Sequence, residues 1–281
     1  MMNIILFLLF LILPCSSLQQ DPSLTYCQKA SSACILTPEQ TEGPYYWNST
    51  FVRQNISEDR SGIRFRLQVL VLNVNTCQPI ANAIVDLWHC DALGLYSHYI
   101  SASNQIPNPQ NDNQTFLRGL QITNNDGIAT FDTIYPGWYA GRTIHIHIKV
   151  HIGGEYNSET SLYSGGTVVH TGQLFFNDSF SDTVAEQSPY NSHNVRRTLN
   201  SQDGIYASGG SYTLMDIQYE NGNLGFPGGL ITTVTLGVSS NLLSSETTTS
   251  TTNPIGPNPS CGSNIFINVY VIFMLFFYLI I

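Results

Sequence analysis

A regular alternation of apolar and polar side chains over residues 143–152 constrains the fold more than any other feature of this chain. The segment reads T-I-H-I-H-I-K-V-H-I, so every even position is Ile or Val. Successive side chains of a β-strand point to opposite faces, and this period of two therefore predicts a strand with one apolar face. The opposite face carries His145, His147, Lys149 and His151.

Further segments of the chain also read as strands. They cover residues 63–69, 83–88, 128–131 and 230–238, and Asp126-Gly127 forms a turn before the third of them. No long stretch between them has the 3.6-residue period of an amphipathic helix. The sequence therefore predicts an all-β fold, a β-sandwich of mainly antiparallel strands with long loops, or a barrel built from the same strands.

The two ends of the chain differ in composition from this body. Residues 4–13 form an uninterrupted apolar run followed by small residues, so we expect residues 1–18 to be a signal peptide. Residues 264–281 are hydrophobic and follow the small residues 260–263. This order is typical of a GPI-attachment signal, and a transmembrane anchor is the alternative.

The remaining boundaries follow from the same shifts in composition. We assign residues 19–36 to an N-terminal segment, residues 37–238 to the folded domain, and residues 239–263 to a stalk rich in Ser, Thr and Pro. The polar residues 101–114 are expected to form an exposed insertion. N-glycosylation sequons agree with secretion and start at Asn48, Asn55, Asn113 and Asn177.

The cysteines indicate an oxidising compartment. Of the 6 in the chain, Cys15 lies in the expected signal and Cys261 beside the expected tail signal. The other four allow three pairings. We favour Cys27–Cys34 and Cys77–Cys90, because each pair closes a short loop.

The charge balance excludes one class of partner. The formal net charge is −9, and the chain contains no long run of Lys and Arg. Proteins that bind nucleic acid need basic surfaces to neutralise phosphates. Nucleic acid is therefore not expected as a partner.

The polar face of the 143–152 strand offers a pair of metal ligands. In His145-Ile146-His147, the two imidazoles project side by side, a spacing typical of bidentate metal sites. The alternative is the ordinary polar outer face of a sandwich strand.

Tyrosines also precede this strand. A free tyrosine titrates near pH ~10 and is a poor ligand at neutral pH, but a trivalent cation displaces its proton. Phenolate and imidazole together suit Fe(III) better than Zn(II).

Ordered motifs extend this pattern along the chain. They are T-E-G-P-Y-Y at 41–46, V-D-L-W-H at 85–89 with G-L-Y at 94–96, T-I-Y-P-G-W-Y at 133–139, and G-R at 141–142 with H-I-H at 145–147. Over residues 37–174 the chain resembles the intradiol ring-cleavage dioxygenases, in particular their secreted eukaryotic catechol and protocatechuate dioxygenase-like branch.

The resemblance implies a set of site residues. The metal ligands would be Tyr96, Tyr139, His145 and His147. Tyr135 competes with Tyr139 for the second tyrosine, and the register on Pro136-Gly137 favours Tyr139. The catalytic residues would be Arg142, Gln173 and Tyr139. The resemblance gives no role to His89, His98, His151 or His170, and we expect His151 to lie on a solvated face.

The resemblance also implies the chemistry. One Fe(III) per chain would serve a dioxygenase that cleaves a catechol between its two hydroxyl-bearing carbons, using O₂ and giving a cis,cis-muconate-type product. The partners would be a small aromatic diol, O₂ and, through the C-terminal anchor, a membrane. Bacterial members carry an N-terminal helical segment through which they dimerise. Here fewer than 20 residues, 19–36, lie between the expected signal and the folded domain. That mode of dimerisation is therefore not expected, and the oligomeric state stays open.

Two other functions remain compatible with the sequence. The first is a non-catalytic cell-surface sandwich that binds a ligand. The second is a zinc hydrolase that uses His145, His147 and a third ligand such as His151.

Overall fold

The alternating segments form strands, and the all-β prediction is confirmed. The computed structural model of the chain describes residues 34–99 and 112–239. The strands are β1 (Arg64–Asn73), β2 (Gln78–Pro79), β3 (Ile84–Trp88), β4 (Arg118–Ile122), β5 (Ile128–Ile134), β6 (His145–Ile152), β7 (Glu155–Asn157), β8 (Leu162–Ser164), β9 (Thr167–Phe175), β10 (Gln218–Tyr219) and β11 (Leu230–Val238). The helices are α1 (Asp178–Ala185) and α2 (Gly204–Ala207), and short 3-10 turns include Asn200–Gln202 and Gly210–Thr213.

Two sheets make up the sandwich. The first has the order β10-β11-β1-β2, with β5 also paired to β1. Its β1–β11 pair is parallel, whereas β1 and β5 are antiparallel. The second has the order β4-β3-β6-β9 and is antiparallel throughout. Strands β7 and β8 form a separate hairpin.

The hydrophobic core lies between the two sheets. The apolar even positions of β6 enter it, and Ile146, Ile148 and Val150 are fully buried. From the first sheet, Phe65 and Leu67 of β1 belong to the same cluster. Burial of one such side chain stabilises the fold by about 1.5–3 kcal/mol. This core fixes which way β6 faces and so places its histidines on the opposite side of the sheet.

That opposite side is covered, which contradicts one expectation. His151 is only 8% exposed rather than solvated. The ring of Tyr163 from β8 lies 6.1 Å from the imidazole of His151. Tyr163 itself packs in a small apolar cluster with Ile84 and Val52. A hairpin and the segment before β1 therefore shield the end of the strand that a simple sandwich would leave open.

Some secondary-structure elements were not predicted from the sequence, and some predictions concern residues that the structure does not describe. Strands β4 and β9 and helix α1 were not anticipated. The predicted signal peptide, the C-terminal signal or anchor, nearly all of the stalk, and most of the 101–114 insertion lie outside the described residues. Within residues 34–99 and 112–239, no helix is long and apolar enough to cross a membrane.

The disulfide prediction was wrong. Cys34 is bonded to Cys77, with a Cα–Cα distance of 5.5 Å, and Cys90 is a free, buried thiol. Cys77 follows β1, whereas Cys90 follows β3, where its Sγ contacts the carbonyl oxygen of Gly137 at 3.5 Å. Closeness in sequence was therefore a poor guide, because the intervening strands carry Cys77 and Cys90 apart.

Removal of this disulfide is expected to lower the free energy of unfolding by about 4 kcal/mol, because the bond closes a long loop, spanning 43 residues, in the unfolded chain. Urea unfolding of the C34S/C77S double variant measures this loss. The C27S variant is the control, and its stability should stay that of the wild type. A peptide map that links Cys27 to Cys34 would contradict the structure.

Candidate metal centre

A row of four side chains crosses the outer face of the second sheet. In the strand register, Trp88 of β3 pairs with Arg118 of β4 on one side and with His147 of β6 on the other. His147 in turn pairs with Gln173 of β9. Residues paired across antiparallel strands point to the same face. The sheet therefore places His147 between an indole and an amide and beneath the loops that cover this face.

The two predicted ligand histidines face each other. Their Nε2 atoms lie 3.0 Å apart. The Nδ1 atom of His145 lies 2.6 Å from the carbonyl oxygen of Thr143 and donates its proton to that oxygen, so the lone pair of His145 is on Nε2. The ring of Trp88 stacks on His147 with a centroid distance of 4.9 Å. Both imidazoles thus present a nitrogen to the same point.

The two predicted ligand tyrosines reach that point from separate loops. Tyr96 follows β3 and Tyr139 precedes β6, and their ring centroids are 5.8 Å apart. The Tyr139 hydroxyl lies 3.3 Å from Nε2 of His145. The centroid of the Tyr96 ring lies 6.1 Å from that of His147. The structure therefore brings all four predicted ligands together.

Two glycines let the tyrosine loops approach each other. A Cβ atom on Gly137 would lie 2.3 Å from the carbonyl oxygen of Ala92, and a Cβ on Gly94 would lie 2.2 Å from that of Trp138. Gly94 also has a φ of +81°, which favours glycine. The Gly137 amide donates to the Asp91 carbonyl at 3.0 Å. Direct backbone contact between the loops thus sets the separation of Tyr96 and Tyr139.

A third tyrosine completes the aromatic wall and was missed by sequence reasoning. The ring of Tyr45 stacks on Tyr96 at a centroid distance of 4.6 Å and meets Tyr139 edge-on at 5.8 Å. Tyr45 belongs to the 41–46 motif, which was recognised as a family signature without a role. The next residue, Tyr46, packs on Trp88 at 4.8 Å and donates to Asp86 at 3.1 Å. The motif therefore anchors a strap over the outer face of the sheet.

Burial keeps all four candidate ligands uncharged in the structure. It raises the pKa of Tyr96 well above its usual value and also raises the pKa of Tyr139. It lowers the pKa of His145 to about 3, helped by the nearby Arg142 guanidinium, and lowers that of His147 well below its usual value. The centre therefore combines two phenols with two neutral imidazoles.

This donor set fits a trivalent cation. The Tyr96 hydroxyl is buried and lies near the Tyr139 hydroxyl. It forms no hydrogen bond of acceptable geometry with any residue that the structure describes. A buried polar oxygen without a partner is costly, and a metal ion would satisfy it. Two phenolates would cancel most of the charge of Fe(III) in this buried place. The residues that would hold the ion are Tyr96, Tyr139, His145 and His147.

The other two predicted site residues lie side by side next to these ligands. Arg142 donates from Nη2 to Oε1 of Gln173 at 2.5 Å and from Nε to Oδ2 of Asp203 at 2.9 Å. The amide of Gln173 is oriented because its Nε2 also donates to the carbonyl oxygen of Thr41 at 2.9 Å. The Arg142 side chain is 15% exposed, and its Nη1 has no hydrogen-bond partner among the described residues.

The structure places Tyr135 away from the centre. This ring is fully buried in the main core between the sheets, against Phe65 and Phe176. Its hydroxyl contacts Ser181 Oγ at 2.8 Å. Of the two tyrosines that the sequence left open, Tyr139 is the one that lies beside the histidines.

His89 and His151 contact groups other than the histidine pair. His89 is held between the carbonyl oxygen of Cys90 and the hydroxyl of Thr133, each at 2.8 Å. His151 is four positions along β6 from His147, or about 13 Å at the rise of a strand. Across the described residues, no three His, Cys, Asp or Glu side chains form a metal-binding group. The zinc-hydrolase alternative therefore lacks its third ligand in this part of the chain.

Known proteins share this sequence pattern and fold. A family model described as a dioxygenase matches residues 41–160. The solved structure of an intradiol ring-cleavage dioxygenase from Tetranychus urticae is 35% identical; the match covers 73% of this chain and 95% of that one, with a TM-score of 0.64. Catechol 1,2-dioxygenase from Acinetobacter baylyi is 25% identical over 154 residues, which cover 46% of this chain and 47% of the relative. For catechol 1,2-dioxygenase 1 from Acinetobacter lwoffii, the identity is 29% over 124 residues, covering 42% and 37%. The chain thus spans less than half the length of these two curated relatives.

Proposed function

Because the chain belongs to the intradiol ring-cleavage dioxygenase family, we propose that it is an extracellular non-haem Fe(III) enzyme that cleaves catechol-type diols. The ring would open between the two hydroxyl-bearing carbons, both atoms of O₂ would enter the product, and a cis,cis-muconate-type diacid would result. The observation that carries this proposal is the convergence of two phenol oxygens and two imidazole nitrogens on one buried point.

The proposed division of labour begins with the metal. A ferric ion held by these four side chains supplies a Lewis acid that acidifies a diol and draws electron density from its ring. His145 and His147 are fixed donors: the first is tethered to the Thr143 carbonyl and the second is stacked on Trp88. Fixed imidazoles hold the reacting ring in one orientation relative to the protein groups around it.

The two tyrosines differ in freedom, which suggests different roles. Tyr96 is fully buried under Tyr45, so it is a permanent ligand. Tyr139 is only partly buried and is followed by Gly141, around which there is open space. We propose that Tyr139, which would be a phenolate with the ion bound, accepts a proton from the incoming diol on its oxygen and becomes a neutral phenol. A side chain at the surface of the centre can make this movement without disturbing the core.

Arg142 supplies a fixed positive charge at the same place. Asp203 and Gln173 hold its Nε and Nη2 atoms, and Nη1 has no hydrogen-bond partner among the described residues. A preorganised cation stabilises negative charge that develops on the aromatic ring in the transition state. The Gln173 amide would orient this cation through its oxygen.

The extracellular location rests on separate support. The Cys34–Cys77 disulfide fits an oxidising compartment. All four sequon asparagines are exposed at the surface. With the expected N-terminal signal and C-terminal anchor, these features favour an enzyme held at the cell surface that acts on phenols outside the cell.

Metal analysis and oxygen uptake of the full chain, expressed through a eukaryotic secretory pathway, test the proposal. We expect close to one iron per chain, a visible tyrosinate-to-iron absorption band, and O₂ uptake with catechol in a 1:1 ratio to the diacid formed. A chain that binds a ligand but takes up no oxygen would indicate the non-catalytic sandwich instead. A colourless, zinc-loaded chain that hydrolyses a substrate would indicate the zinc enzyme.

A further inference from the structure

A buried carboxylate lies behind Arg142 in a part of the chain to which the sequence gave no function. Asp203 is 2% exposed and stands between the 3-10 turn Asn200–Gln202 and helix α2. Its Oδ1 accepts from the backbone N–H groups of Ile205 and Tyr206, at 2.7 and 3.2 Å. Its Oδ2 accepts from Arg142 Nε and from the Thr143 N–H, both at 2.9 Å.

A second polar side chain holds the same segment. Asn200 accepts a hydrogen bond from the Thr143 hydroxyl at 2.6 Å. Its own amide donates to the carbonyl oxygen of Phe176 at 2.9 Å, which fixes the orientation of Asn200. Asn200 and Asp203, here called the 200–203 clamp, thus grip Arg142 and Thr143 at three atoms.

The gripped segment carries two functions of the proposed site. The guanidinium of Arg142 points from it towards Gln173. The carbonyl oxygen of Thr143 accepts a hydrogen bond from His145 Nδ1 and so orients the Nε2 of that ring. A shift of this one peptide segment would move both the cation and the imidazole.

Asp203 makes more contacts than it needs to cap helix α2, because its charged carboxylate also binds Arg142 and Thr143. The carboxylate is fully desolvated and pairs with a guanidinium whose side chain is 15% exposed. A buried charge is tolerated when it is paired and its remaining lone pairs accept hydrogen bonds. Asp203 meets both conditions, and loss of its charge would leave the Arg142 guanidinium with Gln173 as its one remaining partner among the described residues.

We propose that Asn200 and Asp203 are positioning residues for the reaction, because they hold Arg142 and the Thr143 carbonyl in the arrangement that the metal ligands and substrate require. This inference rests on the proposed function. Both residues lie beyond the 41–160 segment that the family model matches. The other reading is purely structural: Asp203 caps α2 and contributes to stability alone.

The D203N variant tests this proposal against a matched pair. Asparagine keeps the shape of Asp203 but turns one acceptor into a donor. In either orientation of the amide this donor faces other donors, those of Arg142 and Thr143 or those of Ile205 and Tyr206. D132N is the control, since it breaks the Arg66–Asp132 ion pair of similar length, 2.8 Å, in the other sheet. The third and fourth variants are R142A and the R142A/D203N double variant.

The positioning role predicts effects on activity and on the metal-free chain. We expect kcat/KM for catechol, per iron-loaded chain, to fall about 100-fold in D203N, because a misplacement of about 1 Å can cost that much. In the R142A background, D203N should lower kcat/KM by much less than it does in the wild type, because the part of the Asp203 effect that acts through Arg142 is already lost. The Thr143 amide should lose its protection from hydrogen exchange in D203N even without iron. Anaerobic titration with catechol, followed by absorbance, separates the effect on binding from the effect on kcat.

Three results would overturn the positioning role of Asp203. A D203N chain with wild-type kcat/KM and a lower melting temperature would overturn the positioning role and leave the helix cap. A D132N chain that loses as much activity as D203N would also overturn it. A wild-type chain that binds no iron when iron is supplied, and takes up no oxygen with catechol, would overturn the proposed function itself, and the positioning role with it.

Discussion

The H147A variant is expected to lose its iron, its visible absorption and its oxygen uptake together. His147 has no structural substitute among the described residues at that position: its ring is fully buried between Trp88 and the Nε2 of His145. Substitution of a residue that only orients a metal ligand typically lowers the affinity for the metal by about 10–100-fold. Loss of a ligand itself should therefore lower the affinity for Fe(III) by more than about 100-fold.

The H151A variant is the matched control. His151 has the same residue type, lies on the same strand and face, and is also buried. It contacts Tyr163 and lies 3.9 Å from Asp86, outside the centre. We expect H151A to keep one iron per chain and the absorption band. Iron and oxygen uptake retained in H147A would contradict the ligand set.

A second matched pair separates the two tyrosines that the sequence left open. Y139F removes the hydroxyl beside His145, whereas Y135F removes one that contacts Ser181 in the core. We expect Y139F to shift or abolish the absorption band. Y135F should lower stability by about 1 kcal/mol, the size of one buried hydrogen bond, and leave the band unchanged.

Sequence reasoning went furthest where a period or a motif carried the information. The alternation over residues 143–152 gave the strand β6, its core face and its histidine pair. The all-β prediction followed from segments of the same kind and is confirmed by the two sheets. These features are local, since the two-residue repeat of a strand is written into adjacent residues.

Contacts made by distant segments could not be anticipated in this way. Asp203 meets Arg142 across 61 residues, and Cys34 meets Cys77 across 43. Neither pair is marked by a periodic pattern in the sequence, because both contacts depend on how the strands and loops are arranged in the folded chain. The exposure of His151 was misjudged for a related reason. Nothing in the alternation of β6 shows that the hairpin β7–β8, which begins at Glu155, brings Tyr163 against the His151 ring.

The G137A variant is expected to damage the centre without touching a ligand. Its Cβ would lie 2.3 Å from the oxygen and 2.5 Å from the carbon of the Ala92 carbonyl. That carbonyl belongs to a turn that is held by hydrogen bonds from the amides of Asp91, Gly94 and Gly137. Because backbone atoms cannot rotate out of the way, the two loops must separate, at a cost of about 3 kcal/mol.

The separation of these loops bears directly on the ligands. Tyr96 stands on the loop that contains Ala92, and Tyr139 stands two residues after Gly137. A change in the spacing of their rings, now 5.8 Å between centroids, would weaken the binding of any ion that both oxygens hold. We therefore expect G137A to lose the tyrosinate absorption band and most of its iron, in addition to its loss of stability.

The G141A variant is the control that isolates this cause. Gly141 lies on the same loop, yet a Cβ there would meet nothing within 4 Å. Its φ of +84° makes alanine unfavourable by about 1 kcal/mol through backbone strain alone. Urea unfolding, iron content and the absorption spectrum of both variants should show a small loss of stability with an intact band in G141A, and loss of both in G137A. If G137A kept its iron and its band, contact between the two loops could not be what sets the distance between Tyr96 and Tyr139.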